Sequence, residues 1–133
     1  MGNEYSSEFG ILPGLPTCIS LTTASGGGGD VDVNLRPATQ NLVYLVLAVA
    51  AYQDDAARTC QWIHTDGTTP IAVYSATIAA NTYTYYYTNT GCPAPLVITR
   101  DRYLIWKVLS MAAAKNSYVT ALVHVLKGVR QVE

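Results

Sequence analysis

The sequence predicts an all-β protein, an antiparallel, jelly-roll-like β-sandwich of about eight strands with an extended N-terminal arm. Short runs rich in Val, Ile, Thr and Tyr alternate with polar residues at a period of two along most of the 133-residue chain. Turn signals from Gly, Pro, Asn and Asp separate these runs at the spacing typical of sandwiches and barrels. A helical period of 3.6 residues is not sustained over any comparable length.

The first 29 residues differ in composition from the rest, and the predicted division is an arm with a glycine-rich joint (1–29) and a sandwich domain (30–133). Pro13, Gly14 and Pro16 interrupt regular structure in the arm. The four glycines at 26–29 predict a flexible linker, because glycine backbone is the costliest to order. The pattern favours a linker over a phosphate-binding loop, since acidic Asp30 follows the glycines instead of a Lys-Ser/Thr pair.

The predicted strands of the domain follow in order. Residues 31–35 alternate strictly between apolar and polar side chains. The continuous apolar run 41–53 fits either a strand buried on both faces or a buried helix, and its valines favour the strand. Asp66-Gly67 predicts a tight hairpin turn. Further strands are expected over 59–64, 70–78, 81–88, 96–99, 103–110 and 117–127.

The arm is too apolar for a merely solvated tail. Its candidate partner-binding residues are Tyr5, Phe9, Ile11, Leu12, Ile19 and Leu21. We therefore expect residues 1–25 to leave the body and dock on a neighbouring subunit, with an extended segment adding to an open sheet edge. The alternative is that residues 15–23 fold back as the first strand of their own sandwich.

The segment Tyr83-Thr84-Tyr85-Tyr86-Tyr87 is the most unusual local feature of the chain. In a strand, Tyr83, Tyr85 and Tyr87 project to one face and Tyr86 to the other. Such a row could form a subunit interface, where tyrosine buries a large area at low entropic cost. It could also stack on sugar rings or pack within its own sheet.

The charge balance favours a protein that assembles. Charged residues make up only 13% of the chain, whereas about 25% is usual for a soluble domain. A surface with few charges is easily buried against partners, so we expect a homo-oligomer. The net charge of −1 argues against nucleic-acid binding. The longest apolar run, residues 42–52, is shorter than the roughly 20 residues that span a bilayer, so no membrane partner is expected.

The sequence offers no catalytic, metal or cofactor site. Cys18, Cys60 and Cys92 form no C-x-x-C pair; free thiols are expected, and a bridge between Cys60 and Cys92 stays open. His64 and His124 are too far apart in sequence to form a ligand motif. No nucleophile–base pair or pair of opposed carboxylates stands out. The chain is therefore not expected to be an enzyme.

The layout of the body resembles that of the jelly-roll decoration (cement) proteins of tailed-bacteriophage capsids. The resemblance covers about three quarters of the chain, residues 30–129, and follows the order of its segments. These are Val31-Asp32-Val33-Asn34-Leu35, the long strand 41–52, Gln61-Trp62-Ile63 before Asp66-Gly67, residues 95–104 (PLVITRDRYL), and a valine-rich last strand. The alanines at 112–114 depart from that layout.

This resemblance implies a homotrimer on the outer surface of the virion, bound to the major capsid protein, with an arm that reaches neighbouring subunits and no catalysis. A carbohydrate- or receptor-binding β-sandwich module is the alternative, and it depends on Tyr83, Tyr85 and Tyr87 being exposed as a flat row.

Overall fold

Two antiparallel sheets pack face to face in the computed structural model, which describes residues 16–86 and 96–127. The predicted β-sandwich is confirmed. The strands in these ranges are β1 (Thr17–Ala24), β2 (Gly29–Leu35), β3 (Leu42–Gln53), β4 (Arg58–Thr65), β5 (Pro70–Ile78), β6 (Thr84–Tyr85), β7 (Leu96–Ile98), β8 (Tyr103–Met111) and β9 (Asn116–Lys127).

Each sheet alternates strands from distant parts of the chain. Sheet A has the order β1-β9-β3-β6, and β7 also pairs with β3. Sheet B has the order β2-β8-β4-β5. In the described part of the chain, β1 ends sheet A on one side and the short strands β6 and β7 end it on the other, whereas β2 and β5 end sheet B.

The long apolar run is a strand and not a helix. β3 pairs with β9 along its whole length, and Val46, Val49 and Ala51 point into the core. The register shifts between Val46 and Ala48, which leaves Leu47 at the surface. This bulge breaks the period of two in the middle of the strand and accounts for the ambiguous sequence pattern.

Two tryptophans form the centre of the core. Trp62 on β4 lies opposite Trp106 on β8, with ring centroids 4.8 Å apart, and both side chains are fully buried. Tyr86 also makes an edge-on contact with Trp62, with ring centroids 5.7 Å apart. Cross-strand aromatic pairs of this kind stabilise a sheet beyond the area that they bury.

The segment that precedes the glycines belongs to the sandwich. β1 pairs with β9 of the same chain from Thr17 opposite Val123 to Ala24 opposite Asn116. This is the alternative arrangement stated above, and it differs from the expectation that residues 1–25 leave the body. The physical reason is that β9 offers a full-length edge directly beside the start of the domain.

The glycines form a hydrogen-bonded turn where the sequence predicts a flexible linker. The backbone N–H of Gly28 donates to the carbonyl of Ser25 at 2.9 Å, and Ala114 N–H donates to the carbonyl of Gly26 at 3.0 Å. Gly28 and Gly29 have φ angles of 101° and 120°, which side-chain-bearing residues rarely adopt. The glycines therefore let the chain cross from sheet A to sheet B in a tight, fixed turn.

The predicted strand over residues 81–88 is only partly formed in its described portion, residues 81–86. Of residues 81–86, which are the described part of that range, only Thr84 and Tyr85 pair with β3, opposite Ala51 and Ala50. Asn81 adopts a φ of 57° and donates its backbone N–H to the carbonyl of Gln53 at 2.7 Å. Because this turn precedes Thr84, the chain first pairs with β3 at Thr84.

Candidate functional site

A row of four tyrosine rings runs across the outer face of sheet A. Tyr118 on β9 stacks on Tyr52 on β3 with centroids 4.5 Å apart and planes inclined by 16°. Tyr52 meets the edge of Tyr83 at 4.9 Å, and Tyr83 stacks on Tyr85 at 6.4 Å with an interplanar angle of 23°. Tyr83 and Tyr85 are about half exposed, so the end of the row near β6 faces solvent.

The exposed end of this tyrosine row is one wall of an open groove of about 230 Å³, which we call the sheet-A groove. Ala48 and Ala50 on β3 form its floor, because methyl side chains leave a depression between larger neighbours. The lining is completed by Leu122 and Thr120 on β9, Cys18 on β1 and Val49. Among the described residues, no carboxylate, amine or guanidinium lines the groove, so its occupant would be apolar or aromatic.

A second exposed apolar surface lies on β5. Ile71 and Val73 are about half exposed, and Tyr74 is 41% exposed. Val73 lies opposite Ile63 on β4, and Ile63 lies opposite Ile105 on β8, so these three side chains form an apolar row on the outer face of sheet B. Larger contiguous apolar patches on a soluble protein mark interaction sites.

The three longer terminal strands, β1, β2 and β5, differ in how they are protected against pairing with another chain. β2 carries Asp30 and Asp32, and the carboxylate of Asp32 lies 3.4 Å from the Lys107 ammonium. β1 (TCISLTTA) and β5 (PIAVYSATI) contain no charged residue. Natural sheets usually protect their edges with charges, so two uncharged edges are candidate sites of strand addition.

The predicted site residues are distributed over several places. Tyr83 and Tyr85 share the exposed outer face, as the alternation predicts, while Tyr86 is buried against Trp62. Ile19 and Leu21 are half buried and pack against the core, where they stabilise the sandwich. The remaining predicted residues, Tyr5, Phe9, Ile11, Leu12 and Tyr87, lie outside the described ranges.

Sequence reasoning missed most of the groove. The sequence pattern does not connect Tyr52 and Tyr118 with the tyrosine segment, although both are outward-facing positions of strands that pair directly. Ala48 and Ala50 occupy alternate positions of β3 on the same face as Tyr52, and this spacing is the signal that was available. Leu122 and Cys18 lie opposite each other in the β1–β9 register, which the sequence alone does not specify.

The two described cysteines have different environments, and both are free. Burial raises the pKa of the Cys60 thiol to about 11, which keeps it protonated at neutral pH. Cys18 is exposed at the rim of the sheet-A groove. Because Cys60 is free, the bridge between Cys60 and Cys92 is not formed in this structure, and Cys92 itself lies outside the described residues.

His64 is half buried on the inward side of β4. Burial lowers its pKa, and the nearby Arg102 guanidinium lowers it further, so the imidazole is neutral at pH 7. Among residues 16–86 and 96–127, no group of three or more His, Cys, Asp or Glu side chains is placed to hold a metal ion. No helix in those ranges is long and apolar enough to cross a membrane.

An acidic pair anchors the turn between β3 and β4. Asp55 accepts a hydrogen bond from the Ala112 backbone N–H at 2.8 Å and pairs with the Arg58 guanidinium at 2.8 Å. The Ala112 hydrogen bond, followed by that of Arg58, lowers the pKa of Asp55. Asp54 accepts from the Asn116 backbone N–H at 2.7 Å and from the Tyr118 hydroxyl at 3.3 Å. Both carboxylates therefore stabilise the turn, and Asp54 also holds Tyr118 of the tyrosine row.

Comparison with known proteins adds little to this description. No protein-family model and no curated protein matches the chain. A similar solved structure comes from work on Bacillus endospore appendages, described as forming a novel family of disulfide-linked pili. The two chains are 16% identical over 84% of this chain and 86% of the other, with a TM-score of 0.39.

Proposed function

We propose that this chain is a structural subunit that works by assembling with copies of itself and with a larger protein lattice. The observation that carries the proposal is the edge strand β5, which is uncharged along its length and exposes Ile71, Val73 and Tyr74. An open edge of this kind is a template for pairing with another chain. A protein that stays monomeric would be expected to protect it.

The low overall charge supports the same proposal. Only 13% of residues are charged, so burying a large part of this surface removes few ions from water. The apolar row of Val73, Ile63 and Ile105 lies beside the β5 edge. A partner that paired with β5 could therefore bury backbone and side chains in one contact.

The assembly that we propose is a decoration layer on the outside of a virion capsid, with the subunit as a homotrimer bound to the major capsid protein. The resemblance in strand layout to phage decoration proteins supports this choice. The proposal assigns the subunit a stabilising role and no catalysis. No nucleic acid and no membrane take part in it.

A charge placed on the β5 edge tests the assembly. Val73→Lys should weaken the oligomer by about tenfold or more, because pairing would bury an ammonium group without a partner. Asn34→Lys on the acidic edge strand β2 is the matched control and should leave assembly unchanged. Light scattering and native mass spectrometry at micromolar concentration give the mass of each variant.

The capsid partner needs a separate measurement. Purified subunit should sediment with capsids of the virus that encodes it, and Val73→Lys should reduce the bound amount. A wild-type protein that stays monomeric and does not sediment with those capsids would contradict the proposed function.

A carbohydrate-binding module is the second candidate, and the exposed pair Tyr83 and Tyr85 favours it. Their rings are nearly parallel, as platforms for sugar rings are. Tyr83→Ala combined with Tyr85→Ala should abolish retention on polysaccharide columns if this candidate is correct. Tyr74→Ala, which removes an exposed tyrosine from the other sheet, is the control.

A further inference from the structure

The chain enters the sandwich beside the sheet-A groove. β1 begins at Thr17, and the next residue, Cys18, is part of the groove lining. Cys18 lies opposite Leu122, which lines the groove from β9. The fifteen residues that precede Pro16 are therefore tethered at the rim of an open apolar groove.

The length of this N-terminal segment suffices to cross the groove. From β1 over β9 and β3 to β6 there are three interstrand steps of about 4.8 Å, or about 14 Å in all. An extended chain covers this distance with about four residues at about 3.3 Å each. Pro13-Gly14 is a dipeptide typical of reverse turns, and a turn there would direct the preceding residues back towards the groove.

The side chains that such a turn would bring to the groove match its chemistry. Phe9, Ile11 and Leu12 lie within the four residues before Pro13, and none of these four is charged. The groove offers the methyl floor of Ala48 and Ala50 and the aromatic wall of Tyr83 and Tyr85. A sugar would need several hydrogen-bonding groups, and few polar side chains line this groove.

We propose that residues 9–12 dock in the sheet-A groove of their own chain, between the Tyr83–Tyr85 wall and Leu122. A tethered segment has an effective concentration of millimolar order, far above that of a second copy at micromolar concentration. The docked segment passes over β1 and β9 and covers the Cys18 thiol. This inference does not depend on the proposed assembly function.

The Cys18 thiol provides the readout. In full-length protein carrying Cys92→Ser, Cys18 is the reactive thiol, because Cys60 is buried. Ile11→Asp combined with Leu12→Asp should raise the rate of Cys18 alkylation by about tenfold or more, since charged side chains leave the apolar groove. Ala50→Arg in the groove floor should have the same effect, and the combined variant should show no further increase.

Matched controls separate docking from general loosening of the fold. Thr77→Arg on β5 places the same charge on the other sheet. Glu4→Gln changes the N-terminal segment outside residues 9–12. Neither substitution should alter the rate of Cys18 alkylation. Leu122→Ser replaces Ala50→Arg if the arginine variant does not fold. Thermal melts confirm that each variant compared is folded.

Dilution identifies the source of the docked segment. Protection of Cys18 that persists unchanged from micromolar to nanomolar protein supports docking within one chain. Protection that disappears on dilution assigns the segment to a neighbouring copy and overturns the proposal. Equal alkylation rates in wild type and in the Ile11→Asp/Leu12→Asp variant overturn it as well, whatever the oligomeric state measured by light scattering.

Discussion

Ser25 and Lys115 hold each other in place from opposite ends of the chain. The backbone N–H of Ser25 donates to the carbonyl of Lys115 at 2.8 Å, and the backbone N–H of Lys115 donates to the Ser25 hydroxyl at 2.9 Å. The same hydroxyl donates to the carbonyl of Ala112 at 2.7 Å. These bonds fasten the β1–β2 turn to the β8–β9 turn, so one end of the sandwich is closed where a loose linker was expected.

This closed end makes Gly28 sensitive to substitution. Gly28→Ala should lower the free energy of unfolding by about 1–3 kcal/mol, because a φ of 101° is strained for alanine. Its Cβ would also lie 3.1 Å from the carbonyl oxygen of Met111. Gly27→Ala is the control, since nothing lies within 4 Å of its Cβ position. Equal urea midpoints for the two variants would contradict a fixed turn.

The buried amide of Gln53 should be a second sensitive position. Gln53 Nε2 donates to the carbonyls of Ala56 at 2.7 Å and Ile78 at 3.2 Å, and its Oε1 accepts from the Asp55 N–H at 2.7 Å. Gln53→Met keeps the volume but leaves these backbone groups without partners, which should cost about 2–4 kcal/mol. Gln61→Met, at a half-buried position on β4, should change stability by less than about 1 kcal/mol. Denaturant unfolding of both variants checks the difference.

The Cys60 thiol should report global unfolding. It is 2% exposed, and burial raises its pKa to about 11, so native protein should not react with iodoacetamide at this position at pH 7.5. In protein carrying Cys18→Ser and Cys92→Ser, mass spectrometry should detect labelling only as fast as the chain unfolds. Rapid labelling under native conditions would show that the core opens locally at β4.

Stability should fall as the pH drops below about 6.5, the ordinary pKa of histidine. Burial lowers the pKa of His64 in the folded state, so the unfolded chain binds the proton more readily. This contribution is complete above the unfolded pKa and is lost as pH falls towards the folded one. Thermal melts between pH 7.5 and pH 5 should show a smaller decrease for His64→Gln than for wild type. An unchanged decrease would exclude His64 as the cause.

The sequence by itself determined the fold class and most strand positions, because the inward or outward direction of a side chain follows from alternation along one strand. The pattern of residues 70–78 predicts the bounds of β5, and Tyr83 and Tyr85 share a face as expected. The Asp66-Gly67 turn is present, with Asp66 Oδ1 accepting from the backbone N–H groups of Thr68 and Thr69. These features depend on neighbours in sequence, which local stereochemistry controls.

Tertiary structure alone decided which strands meet. Tyr118 stacks on Tyr52, and Cys18 faces Leu122, only because β9 is inserted between β1 and β3. The same insertion gives β1 a partner in its own chain and packs Ile19 and Leu21 against the core. Alternation defines the face of a side chain but not its neighbour across the sheet, since pairing between distant strands depends on the packing of the whole sandwich.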